Sequence, residues 1–216
     1  DRITALRLGV SLNRCLKGCL GIDFQFSRGI DIASRSQGDV GKGTPLSRSS
    51  GKNNFSHFNL DTTYAVALDK DLEFNINTGG QLSLDDLLNS EQSSITGPDK
   101  LSGFTSGSIS GDESWYFRGQ FNYKKKLSNK LTLTPYVYGA TGVSYTLTPT
   151  ATENRATAAK SIGLGLKMDG IDNYFFDKNI SAKVEYSKNW ATGVLEDVSD
   201  VRLNKQHLLV NLAMNF

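Results

Sequence analysis

Apolar and polar residues alternate with a period of two along nearly the whole chain, and the alternation predicts nine β-strands. The last stretch, His207–Phe216, shows the pattern. Leu208, Val210, Leu212, Met214 and Phe216 share one face, while His207, Asn211, Ala213 and Asn215 lie mostly on the other. Thr4–Leu12 carries Leu6, Leu8, Val10 and Leu12 on one side, and Gly18–Arg28 sets Leu20, Ile22, Phe24 and Phe26 against Gly21, Asp23, Gln25 and Ser27. Near Phe55–Leu68, Phe58, Leu60, Tyr64, Val66 and Leu68 oppose His57, Asn59, Asp61 and Thr63; next, Leu72, Phe74, Ile76 and Leu82 oppose Glu73, Asn75, Asn77, Gln81 and Ser83. Trp115, Phe117, Phe121 and Tyr123 then oppose Tyr116, Arg118, Gln120 and Asn122, and Leu131, Leu133, Val137 and Val143 oppose Thr132, Thr134, Tyr136 and Tyr138. Ile162, Leu164, Leu166 and Met168 face away from Ser161, Gly163, Gly165 and Lys167, as Ile180, Ala182, Val184 and Tyr186 do from Ser181, Lys183, Glu185 and Ser187.

A strand with one apolar and one polar face suits a soluble sandwich as well as a membrane barrel. The connections separate the two. They alternate between short (Asn13–Lys17, Asp69–Asp71, Leu127–Lys130, Asp169–Lys178) and long (Gly29–Asn54, Asp85–Glu113, Thr146–Lys160, Thr192–Lys205). Outer-membrane barrels join their strands by short periplasmic turns and longer outer loops, an alternation that a soluble sandwich has no reason to show over eight connections. The reading is therefore an all-β, antiparallel transmembrane β-barrel, with apolar faces toward lipid, polar faces toward the lumen and short turns on the periplasmic side. An odd number of strands fits a segment of a larger barrel, because bacterial single-chain barrels have an even number.

Composition narrows the class further. The 216 residues are 38% hydrophobic and carry a formal charge of +2, with 21 Gly and only 4 Pro. No run of about 18 apolar residues exists, which excludes a membrane-spanning helix. No basic segment followed by an apolar one opens the chain at Asp1, so it reads as a mature form or a fragment. So balanced a charge gives no case for nucleic acid, and Lys124-Lys125-Lys126 reads as a solvated turn.

Candidate chemistry is sparse. His57 and His207 are the only imidazoles and fall on lumen faces. Asp85, Asp86 and Glu91 lack calcium-loop spacing. Gly163 and Gly165 lie within a strand and not in a strand-to-helix phosphate loop. No Ser/His/acid grouping for a lipid hydrolase is evident, so the chain reads as a non-enzyme without cofactor or metal. Cys15 and Cys19 flank Leu16-Lys17-Gly18 at a turn, where either a disulfide or free thiols would fit.

Three linked motifs carry a family resemblance. Gln81-Leu82-Ser83 ends a strand; Leu101-Ser102-Gly103-Phe104 lies in the long loop; Gly111-Asp112-Glu113-Ser114-Trp115-Tyr116-Phe117-Arg118 opens the next strand. Order and spacing resemble the TpsB transporters of two-partner secretion, the haemolysin and filamentous-haemagglutinin secretion/activation family. That family has Gln-x-Ser-x-x-x-Leu, Val-Arg-Gly-Phe/Tyr and Gly-Asp-x-Gly-x-Tyr-x-Arg in these places. The resemblance implies that residues 1–216 are the C-terminal region of a sixteen-stranded barrel, supplying its last nine strands and a re-entrant loop over 85–113, with no POTRA domain in this stretch. It implies a protein-translocating pore of the bacterial outer membrane, a secreted exoprotein as substrate, contact with outer-membrane lipid, and the barrel-assembly machinery reading Phe216 as a terminal signal. The lumen wall of such a pore would include Asp23, Gln25, Asp61, Glu73, Asn75, Asn77, Arg118, Gln120, Lys183 and Glu185. A small stand-alone barrel with a structural or adhesive role, or a degenerate transporter remnant, is the alternative.

Two departures from the family stand out. Ser102 replaces the Arg at the loop tip, and Ala140, within Tyr138-Gly139-Ala140-Thr141-Gly142, replaces the lumen-facing Asp of the family's Phe-x-Asp-x-Gly. Losing both avoids a stranded charge, worth roughly several kcal/mol. The substitution predicts a loop that still folds back near Ala140 but has a tip more mobile than the neighbouring strands, since one hydroxyl cannot replace a charged fork.

Overall fold

The computed structural model describes residues 3–30, 47–127, 131–150, 153–172, 179–194 and 201–214. Among these, nine long strands form one antiparallel sheet: β1 (Ala5–Cys15), β2 (Cys19–Gly29), β3 (Ser56–Ala67), β4 (Leu72–Ser83), β7 (Glu113–Tyr123), β9 (Thr132–Tyr145), β10 (Ala156–Asp172), β11 (Asn179–Val194) and β12 (Val201–Met214). Each pairs with the next in chain order, and the sheet runs open from β1 at one edge to β12 at the other. Three short strands complete the set. β5 (Ser93–Ser94) pairs with β6 (Ser110–Gly111) inside the long loop, and β8 (Lys125–Lys126) pairs with β9.

The faces are inverted relative to a soluble protein. Leu6, Leu8, Val10, Leu60, Val137, Leu164, Leu208 and Val210 are exposed, whereas Ser27, His57, Gln81, Arg118, Ser161, Glu185, Ser187 and Asn189 are buried. In water this arrangement would forfeit the main driving force for folding. Against lipid it costs nothing. Cross-strand aromatics extend the outer face: Phe74 sits opposite Phe121, with ring centroids 4.5 Å apart.

Several connections differ from the sequence expectation. β10 begins at Ala156, inside the loop expected at Thr146–Lys160, and it runs on to Asp172, past the expected turn start at Asp169. β11 reaches Val194 and β12 starts at Val201, so strand pairing takes in both ends of the long loop expected over Thr192–Lys205. The reason is that apolar alternation marks only the lipid band. Backbone pairing continues beyond it, as in Thr192 opposite Arg202, because every strand N–H and C=O still needs a partner. A register shift between Asp169 and Ile171 accompanies Gly170, whose φ of 78° suits a bulge that a side chain would strain. Nor is the lysine run simply a solvated turn. Lys125 and Lys126 form β8, and Lys124 Nζ donates to Glu73 Oε2 at 2.6 Å. Cys15 and Cys19 form a disulfide that closes the β1–β2 hairpin.

Candidate functional site

The site begins with two glycines. Gly163 and Gly165 of β10 stand opposite Tyr138 and Tyr136 of β9. A Cβ on Gly163 would lie 2.5 Å from the Tyr138 ring, and one on Gly165 would lie 2.3 Å from the Tyr136 ring. The glycines are seats on which both rings lie across the inner face, a known remedy for glycine in a sheet. So placed, Tyr138 lies 3.7 Å beneath the Arg118 guanidinium, and Tyr136 donates its hydroxyl to Glu185 Oε2 at 2.6 Å. Arg118 of β7 reaches Glu185 of β11 at 3.4 Å, and Lys183 Nζ lies 3.2 Å from the same carboxylate. Arg118 and Glu185 are almost wholly buried, so each charge depends on these partners.

Onto this wall comes the tip of the loop between β4 and β7. Ser102 is buried, accepts from Arg118 Nη1 at 2.5 Å and donates to Glu185 Oε1 at 2.5 Å. Arg118 also donates to the Lys100 carbonyl at 3.1 Å, and Asn189 Nδ2 donates to the Gly103 carbonyl at 2.6 Å. A Cβ at Gly103 would overlap the Asn189 side chain, so the backbone can approach this closely only as glycine. Leu101 is fully buried with Ile95 against Tyr116, Tyr136, Tyr138, Ala140, Ala159 and Ala191, and Phe104 packs on the same cluster. Small residues on β9, β10 and β11 make room for the loop's aliphatic side chains. Gly142 does the same for Ile95, whose Cδ1 would be 3.1 Å from an added Cβ.

The expected loop stays in place, but its anchoring differs from the sequence reading. Positions 102 and 140 carry no charge, and a different pair, Arg118 and Glu185, stands within the wall, with the Ser102 hydroxyl bridging the two. Ala140 is the register partner of Arg118 and belongs to the apolar cluster beneath the tip. Charge-assisted hydrogen bonds on Ser102 hold the tip to this wall.

The loop-to-strand residues divide. Tyr116 faces inward, donates to Asp61 Oδ1 at 2.8 Å and lies under Lys100 Nζ at 4.7 Å. Trp115 points the other way and is exposed on the outer face. Gly111 fits tightly against Ser144 and the Tyr145 carbonyl. Asp112 is fully buried, and its main partner carries no sequence signature: Arg48, from the loop between β2 and β3, donates to both its oxygens at 2.7 and 2.8 Å. Asp112 further accepts from the Leu87 and Leu147 amides. Phe216 lies outside the described residues.

The fold also gathers a serine, a histidine and an acid that are distant in sequence. Ser27 and His57 are register partners, and His57 Nε2 lies 3.3 Å from Glu91 Oε2. Arg7 Nη2 donates to both Glu91 oxygens at 2.8 and 3.0 Å, and the His57 Nδ1 faces the Asn59 amide at 3.3 Å. Both ring nitrogens are thereby engaged, leaving none to take a proton from Ser27. The cluster works as a latch on the loop, without the geometry of nucleophilic catalysis.

The comparisons fit this geometry. No curated protein matches the chain by sequence. Among solved structures, CdiB from Escherichia coli is similar over 98% of this chain, with a TM-score of 0.71 and 17% identity, which is a likeness of fold. The chain spans 36% of the length of that CdiB chain. The family model for the haemolysin secretion/activation protein ShlB/FhaC/HecB matches residues 1–168. That family comprises outer-membrane β-barrel transporters of two-partner secretion, and the chain, matched to it over most of its length, belongs to it.

Proposed function

We propose that this chain forms part of the wall and internal loop of an outer-membrane pore that exports a partner exoprotein of the haemolysin or adhesin type. One observation carries the reading: the Leu101–Phe104 tip is held on the inner wall by small polar contacts, Ser102 on Arg118 and Glu185 and Gly103 on Asn189. Such contacts close a lumen but can be exchanged for those of a passing polypeptide. The inner face mixes both charge signs with amides, so it offers an unfolded chain many weak partners and no single tight one. No nucleotide or metal enters the scheme. Residues 1–216 act as the C-terminal barrel region, with Phe216 as the signal read by the assembly machinery.

The test is a tether. Gly103→Cys combined with Asn189→Cys, in the whole transporter co-expressed with an exoprotein that the wild-type transporter is first shown to export, should trap that exoprotein in the cell when oxidised and release it on reduction. Export unchanged by oxidation, with the tether shown to be closed, would refute a loop that must yield to substrate.

A further inference from the structure

The end of the β1–β2 hairpin has features that the transport reading does not use. Leu16 sits at the tip of the turn and, at 80%, is the most exposed large apolar side chain among the described residues. Arg14, Leu20 and Tyr64 form a row across three strands on the outer face, since Arg14 pairs with Leu20 and Leu20 with Tyr64. These residues, with Leu16, Lys17 and Gly18, line an open groove of about 760 Å³. The Tyr64 ring leans over the turn so far that a Cβ on Gly18 would meet its hydroxyl at 2.7 Å. Arg14 and Lys17 are exposed, no carboxylate lines the groove, and neither cation has an ion-pair partner among the described residues. The disulfide on the opposite face of the hairpin and a bond from the Leu16 N–H to the Gly18 carbonyl hold the tip in one shape.

We propose that this groove seats one phospholipid with an anionic headgroup from the leaflet at the short-turn end of the barrel. Arg14 and Lys17 hold its phosphate, the Tyr64 hydroxyl lies at headgroup level, and Leu16 and Leu20 take the acyl chain. Two unpaired cations above an apolar groove match a phosphate above a chain, and they match neither an uncharged lipid nor a soluble protein. The cross-linked turn offers the two cations already placed, which lowers the ordering cost of binding. The inference rests on the membrane-barrel reading with short turns toward the periplasm.

The experiment uses the whole transporter, delipidated in detergent and offered an equimolar mixture of phosphatidylglycerol and phosphatidylcholine, with retained lipid weighed by native mass spectrometry. Wild type should retain phosphatidylglycerol roughly thirtyfold over phosphatidylcholine, the scale that two cations near an anionic headgroup supply. Arg14→Gln with Lys17→Gln should bring the ratio close to one, while Arg14→Lys with Lys17→Arg should preserve it. Equal retention by wild type, or an unchanged preference in the double glutamine variant, overturns the site. In a second arm with lipid A added to the mixture in equal amount, preferential retention of lipid A overturns the leaflet assignment. Heat-modifiable mobility of each variant keeps the failures apart: an inserted barrel without lipid preference refutes the groove alone, whereas wild type that fails to insert refutes the barrel.

Discussion

Arg48 and Asp112 meet as a buried ion pair in which Nη1 alone donates to both carboxylate oxygens, with side-chain exposures of 1% and 0%. Arg48 lies in the loop after β2 and Asp112 at the threshold of β7, and the pair also gathers the third outer loop. Arg48 Nη2 donates to the Thr148 carbonyl at 2.8 Å, and the Leu147 amide donates to Asp112 Oδ2 at 2.8 Å. One carboxylate thus ties three loops that the chain itself never joins. Leaving one charge of such a pair unmatched costs far more than the pair contributes as a whole.

Asp112→Ala should therefore destabilise the loop assembly by about 3 kcal/mol, since it leaves Arg48 only the longer ionic contact with the partly exposed Glu153 at 3.5 Å and orphans two amides. Arg48→Met should cost less than that, because Asp112 keeps its amide donors. Limited proteolysis of the outer loops, followed as a function of denaturant, measures both. Equal effects of the two changes would refute Asp112 as the centre of the knot.

The loop latch should depend on pH. Burial alone would raise the Glu91 carboxyl, but hydrogen bonds from His57 and Arg7, with their charges, outweigh it and hold the group below its ordinary value of 4.5. A carboxyl with a lower value in the folded state binds its proton more readily when unfolded, so its contribution is complete above the ordinary value and fades as pH falls through the folded one. Protection of the 84–112 loop should be flat at neutral pH and decline below about 4.5. Glu91→Gln should start less protected and lose the decline attributable to this group. A wild-type profile with the same acid limb as the variant would sink the assignment.

Strand number and faces were legible in the sequence, because a lipid-facing strand must alternate. The ends of β10, β11 and β12 were not, since their ladder outlasts the apolar pattern that reveals it. Glu185 was placed on the lumen face from its parity, yet its role on the loop tip was invisible. Strand order in a sheet must be known before β7 and β11 are seen to face each other across the loop. Arg48 was hidden for a simpler reason: an isolated arginine in a polar loop looks like any solvated one. Gly163 and Gly165 were correctly kept out of a phosphate loop, but only the register with Tyr138 and Tyr136 shows what they are for.

Gly165 offers a test of that role. A methyl group there would force the Tyr136 ring off its seat and pull its hydroxyl from Glu185. Gly165→Ala should cost about 1–3 kcal/mol, from overpacking and a lost bond to a buried charge. In a Tyr136→Phe background, where that hydrogen bond is already gone, the same change should cost less. A double-mutant cycle on unfolding in detergent reads the difference, and strict additivity would mean that the glycine acts without the tyrosine.

Ser102 and Ala140 test the clasp itself. Ser102 now bridges Arg118 and Glu185, and Lys183 adds a second positive charge on the same carboxylate. Ser102→Arg would place another guanidinium against Arg118 with no further acid to receive it. Desolvated like charges at this range repel strongly, so the loop should leave the wall and become open to protease. Ala140 is the cross-strand neighbour of Arg118, within the cluster under the tip. Adding Ala140→Asp supplies the missing acid from the adjacent strand, and the double variant should regain most of the protection that Ser102→Arg alone loses. Ser102→Ala is the control, since it removes the bridge without adding charge and should cost only about 1–3 kcal/mol. If Ala140→Asp fails to rescue Ser102→Arg while the barrel still inserts, position 140 is too far from the tip to serve as its partner, and the clasp is confined to Arg118 and Glu185.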